Sequence, residues 1–532
     1  MIKMTGICAP LDFGSDWVQE TAAQKLGVSQ DQLKSVRLLR KSLDARRRNK
    51  IHYVLTVGVE VADEAALLAR CQDASISALS ENVQEQLPSW SFPHVPVVVG
   101  SGPAGLFAAL TLARAGARPL LLERGGNVDE RQAAVRRFRD GGALDPECNI
   151  QFGEGGAGTF SDGKLNSGIS DPRVTAILQE LYRAGAPEEI LYEARPHIGT
   201  DLLVGVVRHL REAILAAGGR VEFHAKFTGF RTEQGQISHA VYQQGGQEVV
   251  VPTDHIILAT GHSARDVFQN LHEQGVAMQQ KPFAVGVRIE HHQAMIDQAM
   301  YGDFAKQGIL PPADYKLAVR TASGRGVYTF CMCPGGEVVA AASEPSGVVV
   351  NGMSHHARDG ENANSALLVG VSPSEFGSAH PLAGLAFQRG IEQRAFALTD
   401  GYQAPACTLG EVRDGILHGN FGSIRPSYQP GTVPALPRDY LPAFVADGLQ
   451  EGIGLLGKKL RGFDRRGAML TGPETRTSSP VRILRGADGM AIDTKGLYPC
   501  GEGAGYAGGI ISAAVDGMRT AVQILERASC LD

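Results

Sequence analysis

The sequence predicts an α/β protein: a doubly wound, Rossmann-like dinucleotide-binding domain, a strand-rich substrate or cap domain, and a small α+β module at the N-terminus. Three observations predict it. An apolar strand, Val97-Val98-Val99, runs into Gly100-Ser101-Gly102-Pro103-Ala104-Gly105 and then a helix-forming run to Ala115. A second apolar run, Pro119–Leu122, delivers Glu123 and Arg124 at the next strand tip, with Glu123 eighteen positions beyond Gly105. Strand-like and helix-like segments then alternate to about residue 284, the pattern of helices layered on a parallel sheet.

Each part of the first motif has a physical job. Gly100 allows the tight turn and Gly102 lets backbone approach a pyrophosphate. Gly105 lets helix and strand pack closely, and the helix N-terminus, with Pro103 and Ala104 in its first turn, offers free N–H groups to phosphates. Glu123 is placed to accept hydrogen bonds from an adenosine ribose, and its charge disfavours a 2′-phosphate there.

The elements follow in order. Residues 1–90 read as strand, helix, two strands joined near Arg46–Asn49, and a helix from Asp63, with Pro88, Pro93 and Pro96 marking a linker. Residues 94–284 form the first part of the dinucleotide-binding domain, with helices at 129–140, 172–184 and 201–217 and a strand-rich excursion at 220–252. Residues 285–480 form the substrate or cap domain. Residues 481–532 return to complete the dinucleotide-binding domain, with a helix from Ser512 to Glu526.

Two further segments bear on the ligand. Asn149–Leu165 places five glycines within the eleven residues 153–163. Such a loop lets backbone lie flat against a ligand, and Gly155, Gly156, Ala157, Gly158 and Thr159 are candidates to approach a flavin. Near the C-terminus, Gly496–Gly503 is followed by Ala504-Gly505-Tyr506-Ala507-Gly508-Gly509-Ile510-Ile511 and a helical run. This stretch resembles the second fingerprint of FAD-binding proteins of the glutathione reductase type. There, an acidic residue after a strand holds the ribityl chain and the next helix points its positive end at the flavin pyrimidine. Glu502 stands where those proteins more often carry Asp, and Gly509 and Ile510 begin the helix. Asp254–Gly261 reads as a buried strand ending in an Ala-Thr-Gly turn, which places Gly261 at the same site. The three fingerprints together favour FAD, bound non-covalently, over NAD.

Other motifs give a more specific resemblance. Gly153–Leu165, His197-Ile198-Gly199-Thr200-Asp201, Gly261-His262-Ser263-Ala264-Arg265-Asp266, Cys331-Met332-Cys333-Pro334-Gly335-Gly336 and Ser354–Asn364 resemble a family of bacterial FAD-dependent dehydrogenases of uncertain substrate. Ser42–Arg46 extends the likeness into the N-terminal module. The resemblance implies bound FAD and an oxidoreductase fold, but supplies no reaction.

Catalytic residues are not legible. Cys331 and Cys333 share one face of an ideal strand but lie about 6.5–7 Å apart along it. An unstrained disulfide needs Cα atoms within roughly 4.4–6.8 Å, so the pair reads as small packing residues rather than a redox centre. His262 and Arg265 could face the flavin edge; His355, His356, Arg358 and Asp359 could line a polar pocket in the cap. No residue stands out as general acid or base. Adjacent His291-His292 and His355-His356 have no metal-ligand spacing, and no metal is expected.

No second glycine-rich fingerprint for NADH or NADPH follows Gly261. A substrate dehydrogenase and a reductase that admits NADH or NADPH transiently therefore stand side by side, each acting on a small molecule. Two other classes compete with them. Between Lys34 and Lys50 lie eight Lys or Arg and one acid, Asp44, a cluster that could hold RNA in an FAD-containing tRNA-modifying protein. It lacks interleaved aromatics for base stacking, so nucleic acid is disfavoured. A non-catalytic FAD-binding protein is the other alternative. The 532 residues carry a formal net charge of −5 and 43% hydrophobic content. No apolar run suits a signal peptide or a membrane span. The eight cysteines are scattered, which fits a reducing, cytoplasmic location; oligomeric state is not encoded legibly.

Overall fold

Short strands buried on both faces need a parallel sheet covered by helices, and Val97–Val99, Leu120–Leu122 and Ile256–Leu258 are buried along their full length. In a computed structural model describing residues 1–79, 87–399, 401–419 and 421–528, they form the centre of a five-stranded parallel sheet. Its order is 497–499, 256–258, 97–99, 120–122, 220–222. The strand of this sheet that comes first in the chain, 97–99, is thus central, with later strands on both sides, so the strand order reverses there. Ligands bind at the C-terminal strand ends at such a switch point.

The helix Pro103–Arg114 is buried from Ala104 to Ala113. It packs between the sheet and the C-terminal helix Ile510–Ala528. Helices at Val128–Arg139, Arg173–Arg183 and Thr200–Ala216 lie within a residue of the spacing-based expectation. The excursion is an antiparallel three-stranded sheet, ordered 247–252, 236–244, 226–233. Cys530 lies outside the described residues.

A seven-stranded sheet between Phe283 and Glu474 forms the second large layer, ordered 318–320, 326–333, 362–371, 283–292, 469–474, 404–408, 432–434. Its central strands Phe283–His292 and Asn362–Val371 pair in register over ten residues. Val285, Val287, Leu367 and Val369 are fully buried, in the same core as Leu449 and Ile453 of the helix Ala443–Gly457.

The first 78 residues form a separate four-stranded sheet, ordered 33–44, 52–61, 2–9, 76–78. Its edge strand is not left open. Lys41 N–H donates to Tyr192 O at 2.7 Å, and Ala194 N–H to Lys41 O at 2.8 Å. The Lys41 ammonium adds an ion pair to Glu193 at 2.9 Å, so part of the basic cluster is spent on docking this module. No helix among the described residues is long and apolar enough to cross a membrane.

Candidate functional site

A cavity of about 510 Å³ opens at the switch point, bounded by Val99, Ala259 and Cys500 at or just beyond three adjacent strand ends. The glycine turn forms its floor. Gly100 has φ +97°, and a Cβ there would lie 2.4 Å from Ala259 O. Gly102 caps the helix Pro103–Arg114 without a side-chain cap, so first-turn N–H groups are left to an anionic ligand. Gly105 does not line the cavity. A Cβ there would sit 1.8 Å from Gly100 O, which makes it a packing glycine.

Glu123 lines the cavity at the expected strand tip, and its carboxylate ties together the backbone of the surrounding loops. Its Oε2 accepts from Ser101 N–H at 2.9 Å and Ser101 Oγ–H at 2.6 Å. Its Oε1 accepts from Gly125 and Gly153 N–H, each at 3.0 Å. These four donors use the acceptor capacity of a carboxylate. Arg124 lies over the Phe152 ring at 4.1 Å and pairs with Glu147 and Asp266.

The glycine-rich loop is shaped from behind by Arg131, which is fully buried. Its guanidinium donates to Asn149 O, Ile150 O, Gly153 O and Glu154 O at 2.7–3.2 Å. Burial lowers its pKa to about 10, so it stays charged at neutral pH. The arrangement turns Gly156, at φ +62°, against Gly102. Gly156, Ala157 and Gly158 line the cavity, whereas Gly155 and Thr159 do not. A Cβ on Gly155 would meet Thr159 Oγ1 at 2.0 Å and Val207 at 2.9 Å, so both residues face the core.

Gly261, Glu502, Gly509 and Ile510 close the opposite side, and the helix Ile510–Ala528 begins there. Burial raises the Glu502 carboxyl to about 7, against the opposing pull of Lys281. His262 Nε2 lies 4.0 Å from it. Burial, reinforced by Arg476 and Arg265, lowers His262 to about 3, which leaves a neutral imidazole at the cavity wall. Arg265 turns away from the cavity. Its guanidinium is bound to Glu392 at 2.8 Å through both terminal nitrogens.

The cap supplies the far wall, with Lys316, Cys331, Asn351, Glu474 and Arg476 among its residues. Sequence reasoning missed this wall apart from Cys331. His356 and Arg358 do not reach the cavity; they fasten cap to loop instead. Arg358 Nε donates to Asp162 at 2.9 Å, and His356 pairs with Glu189 at 3.1 Å.

The cysteine pair departs from the expected strand geometry. The register steps from Phe330↔Ala366 to Cys333↔Asn364, so one extra residue is inserted on the cysteine strand, a β-bulge. Cys331 takes φ +41°, a region uncommon for a residue with a side chain. The two thiols are thereby brought into hydrogen-bond contact. Cys331 lines the cavity and Cys333 lies behind it, fully buried. The Cys333 hydrogen bond, with Lys164 and Arg288 nearby, holds the Cys331 thiol well below its usual range.

Comparison with known proteins agrees with this architecture. Residues 95–299 match the pyridine nucleotide-disulphide oxidoreductase family, and residues 282–477 match a family described as FAD-dependent protein, C-terminal domain-like. Residues 1–60 match a domain of unknown function. An uncharacterised protein of Clostridium beijerinckii is 45% identical over 530 residues, 99% of each chain. The chain belongs to an FAD-dependent oxidoreductase family. Among solved structures, a glycerol-3-phosphate dehydrogenase from Bacillus halodurans complexed with FAD is 11% identical over 82% of this chain and 65% of that one, with a TM-score of 0.36. A geranylgeranyl bacteriochlorophyll reductase-like protein from Thermoplasma acidophilum is 13% identical over 82% of each chain, with a TM-score of 0.35.

The residues present fit FAD. Backbone without Cβ atoms lines the cavity at Gly102, Gly156, Gly158 and Gly509, and two helices begin at its wall. FAD, when bound, supplies two-electron chemistry. This chain's own groups would offer a bound FAD uncapped N–H groups at the helix starting at Pro103 and a neutral His262 beside Glu502 at the opposite wall.

Proposed function

We propose that this protein is an FAD-dependent oxidoreductase whose flavin exchanges electrons with a small polar molecule admitted from the cap side. One observation carries the reading: the glycine cradle and the cap wall line the same cavity. Its cap end presents groups of both signs, from Lys164, Arg476 and Lys316 to Asp162 and Asp314, as suits a polar substrate. Gly100, Gly102, Pro103 and Ala104 cradle the ADP half in this reading. Gly156–Gly158, Gly261, Glu502, Gly509 and Ile510 flank the flavin half.

Topology bears on the reductase alternative, in which a nicotinamide is the donor. Among the described residues there is one parallel sheet of the nucleotide-binding type, and the strands at 226–252 are antiparallel. In the reductase form of this reading, NADH or NADPH has no domain of its own among the described residues and enters by the substrate mouth.

The test is an anaerobic absorbance spectrum of the FAD-loaded protein before and after adding NADH, NADPH or candidate small-molecule donors. Bleaching by a nicotinamide that a substrate competitively slows supports a reductase. Bleaching by a small molecule alone supports a dehydrogenase. A bound flavin that no donor reduces, and that no acceptor reoxidises after chemical reduction, would overturn the proposal.

A further inference from the structure

We propose that Cys331 and Cys333 form a dithiol–disulfide couple that exchanges an electron pair with the flavin. The inference rests on FAD occupying the cavity and adds a second redox centre in its cap wall.

The geometry is specific to this bulge. In a regular strand, residues two apart are held about 6.5–7 Å from one another, too far for easy closure. The extra residue at 331–332 breaks the regular strand spacing, and the Cys333 Sγ–H donates to Cys331 O at 3.3 Å. Met332, between them, is 4% exposed and packs into the cap core, away from the cavity wall that Cys331 lines. One thiol borders the cavity and the other is sealed behind it, so the flavin side meets Cys331 while Cys333 closes the ring.

The charges around the pair give independent support. Lys164 comes from the glycine-rich loop and lines the same cavity. Its ammonium is shielded from solvent and makes no hydrogen bond, although Asp162 lies 3.2 Å away. Arg288, fully buried, donates to Cys331 O at 2.8 Å. Both cations lower the Cys331 thiol, and each is held in place by an acid, Lys164 by Asp162 at 3.2 Å and Arg288 by Glu474 at 2.6 Å. A thiolate at Cys331 gains from a buried ammonium in this wall, and Lys164 is among the groups that lower the Cys331 thiol.

The step balances. Cys331 begins as thiolate and Cys333 as thiol. Closing the S–S bond releases two electrons and the Cys333 proton, and the flavin ring accepts the pair and that proton. In reverse, reduced flavin opens the disulfide and restores the thiolate and the thiol.

The test is an anaerobic reductive titration of the FAD-loaded, air-oxidised full chain with dithionite, alongside C331S and C333S. A two-electron couple added to a two-electron flavin makes the wild type take up about four electron equivalents per FAD and each variant about two. Alkylation of the wild type provides a readout that needs no variant. The peptide carrying both cysteines is expected to resist iodoacetamide in the oxidised protein and to take two labels after reduction. Uptake of about two equivalents by the wild type, both thiols free in the oxidised protein, or about four equivalents in both variants would each overturn the proposal. Failure of FAD binding itself shows separately, as a protein without a flavin spectrum.

Discussion

Replacing Glu123 with alanine loosens the cofactor loops even when no cofactor is present. The carboxylate is 4% exposed and accepts from the N–H groups of Ser101, Gly125 and Gly153 and from the Ser101 hydroxyl. Alanine strands three backbone donors, each worth about 1–3 kcal/mol when buried and unsatisfied. Cavity water relieves part of that cost, so the low end applies, about 3–4 kcal/mol in all. At about 1.4 kcal/mol per tenfold, hydrogen exchange at these amides speeds up about a hundred- to a thousandfold in the apoprotein. Glu123→Gln keeps one acceptor oxygen and shows a smaller acceleration. The assay is peptide-resolved exchange of the apoprotein over residues 100–105, 123–126 and 150–156. Unchanged exchange in Glu123→Ala, with only FAD affinity reduced, would refute the reasoning and return the carboxylate to the ribose.

Other expectations follow from single contacts. Gly156→Ala puts a Cβ 2.9 Å from Gly102 Cα at a φ of +62°; the purified variant retains little flavin by absorbance while keeping its far-ultraviolet circular dichroism. Glu392, 1% exposed, joins Arg265 of the nucleotide-binding domain to Arg476 of the cap. Glu392→Gln leaves two buried guanidinium groups undercompensated, at about 3–5 kcal/mol, and lowers the urea midpoint of unfolding. Burial raises Glu474 to about 7 from an ordinary 4.5, although Arg288 pairs with it. The folded form therefore holds a proton that the unfolded chain releases, and this group makes the protein less stable as pH rises from about 4.5 to about 7, by at most about 3 kcal/mol. Glu474→Gln flattens that part of the stability–pH curve, read by urea unfolding at successive pH values.

The local motifs were legible because their constraints are local. Gly100 and Gly105 face backbone oxygens within 2.4 Å of any Cβ, so the turn needs glycine wherever this strand meets this helix. The three apolar strands announced themselves by having no polar face. The orientation of the second glycine loop was not legible in the same way. Gly155 and Gly156 are identical in sequence terms, and only the approach of Val207 on one side and Gly102 on the other separates core from cavity. Arg131 sits in a charged helical run that reads as a solvated face, yet it is buried because four loop carbonyls turn toward it. The cap wall left no spacing signal, since Lys316 comes from a loop, Cys331 and Glu474 from two strands of the seven-stranded sheet, and Asn351 from a separate two-stranded sheet. The bulge at Cys331 was hidden for a related reason: positive φ there falls on a cysteine, where sequence gives no glycine to mark it.

The loop between Asn149 and Leu165 links these parts into one device. At one end Arg131 fixes its carbonyls, which sets the glycines that face the cofactor. At the other, Asp162 is tied to Ser354 and Arg358 of the cap and lies 3.2 Å from Lys164. The cations hold Asp162 at about 2, against the upward push of burial, so the tie stays charged across the physiological range. A loop pinned at both ends cannot shift its glycines without also moving Lys164. The position of the flavin cradle and the charge beside Cys331 are therefore set by the same stretch of backbone. This explains why a segment so rich in glycine is held by one of the most deeply buried arginines in the protein: glycine permits the close approach, and the buried ion pairs and carbonyl contacts supply the rigidity that glycine lacks.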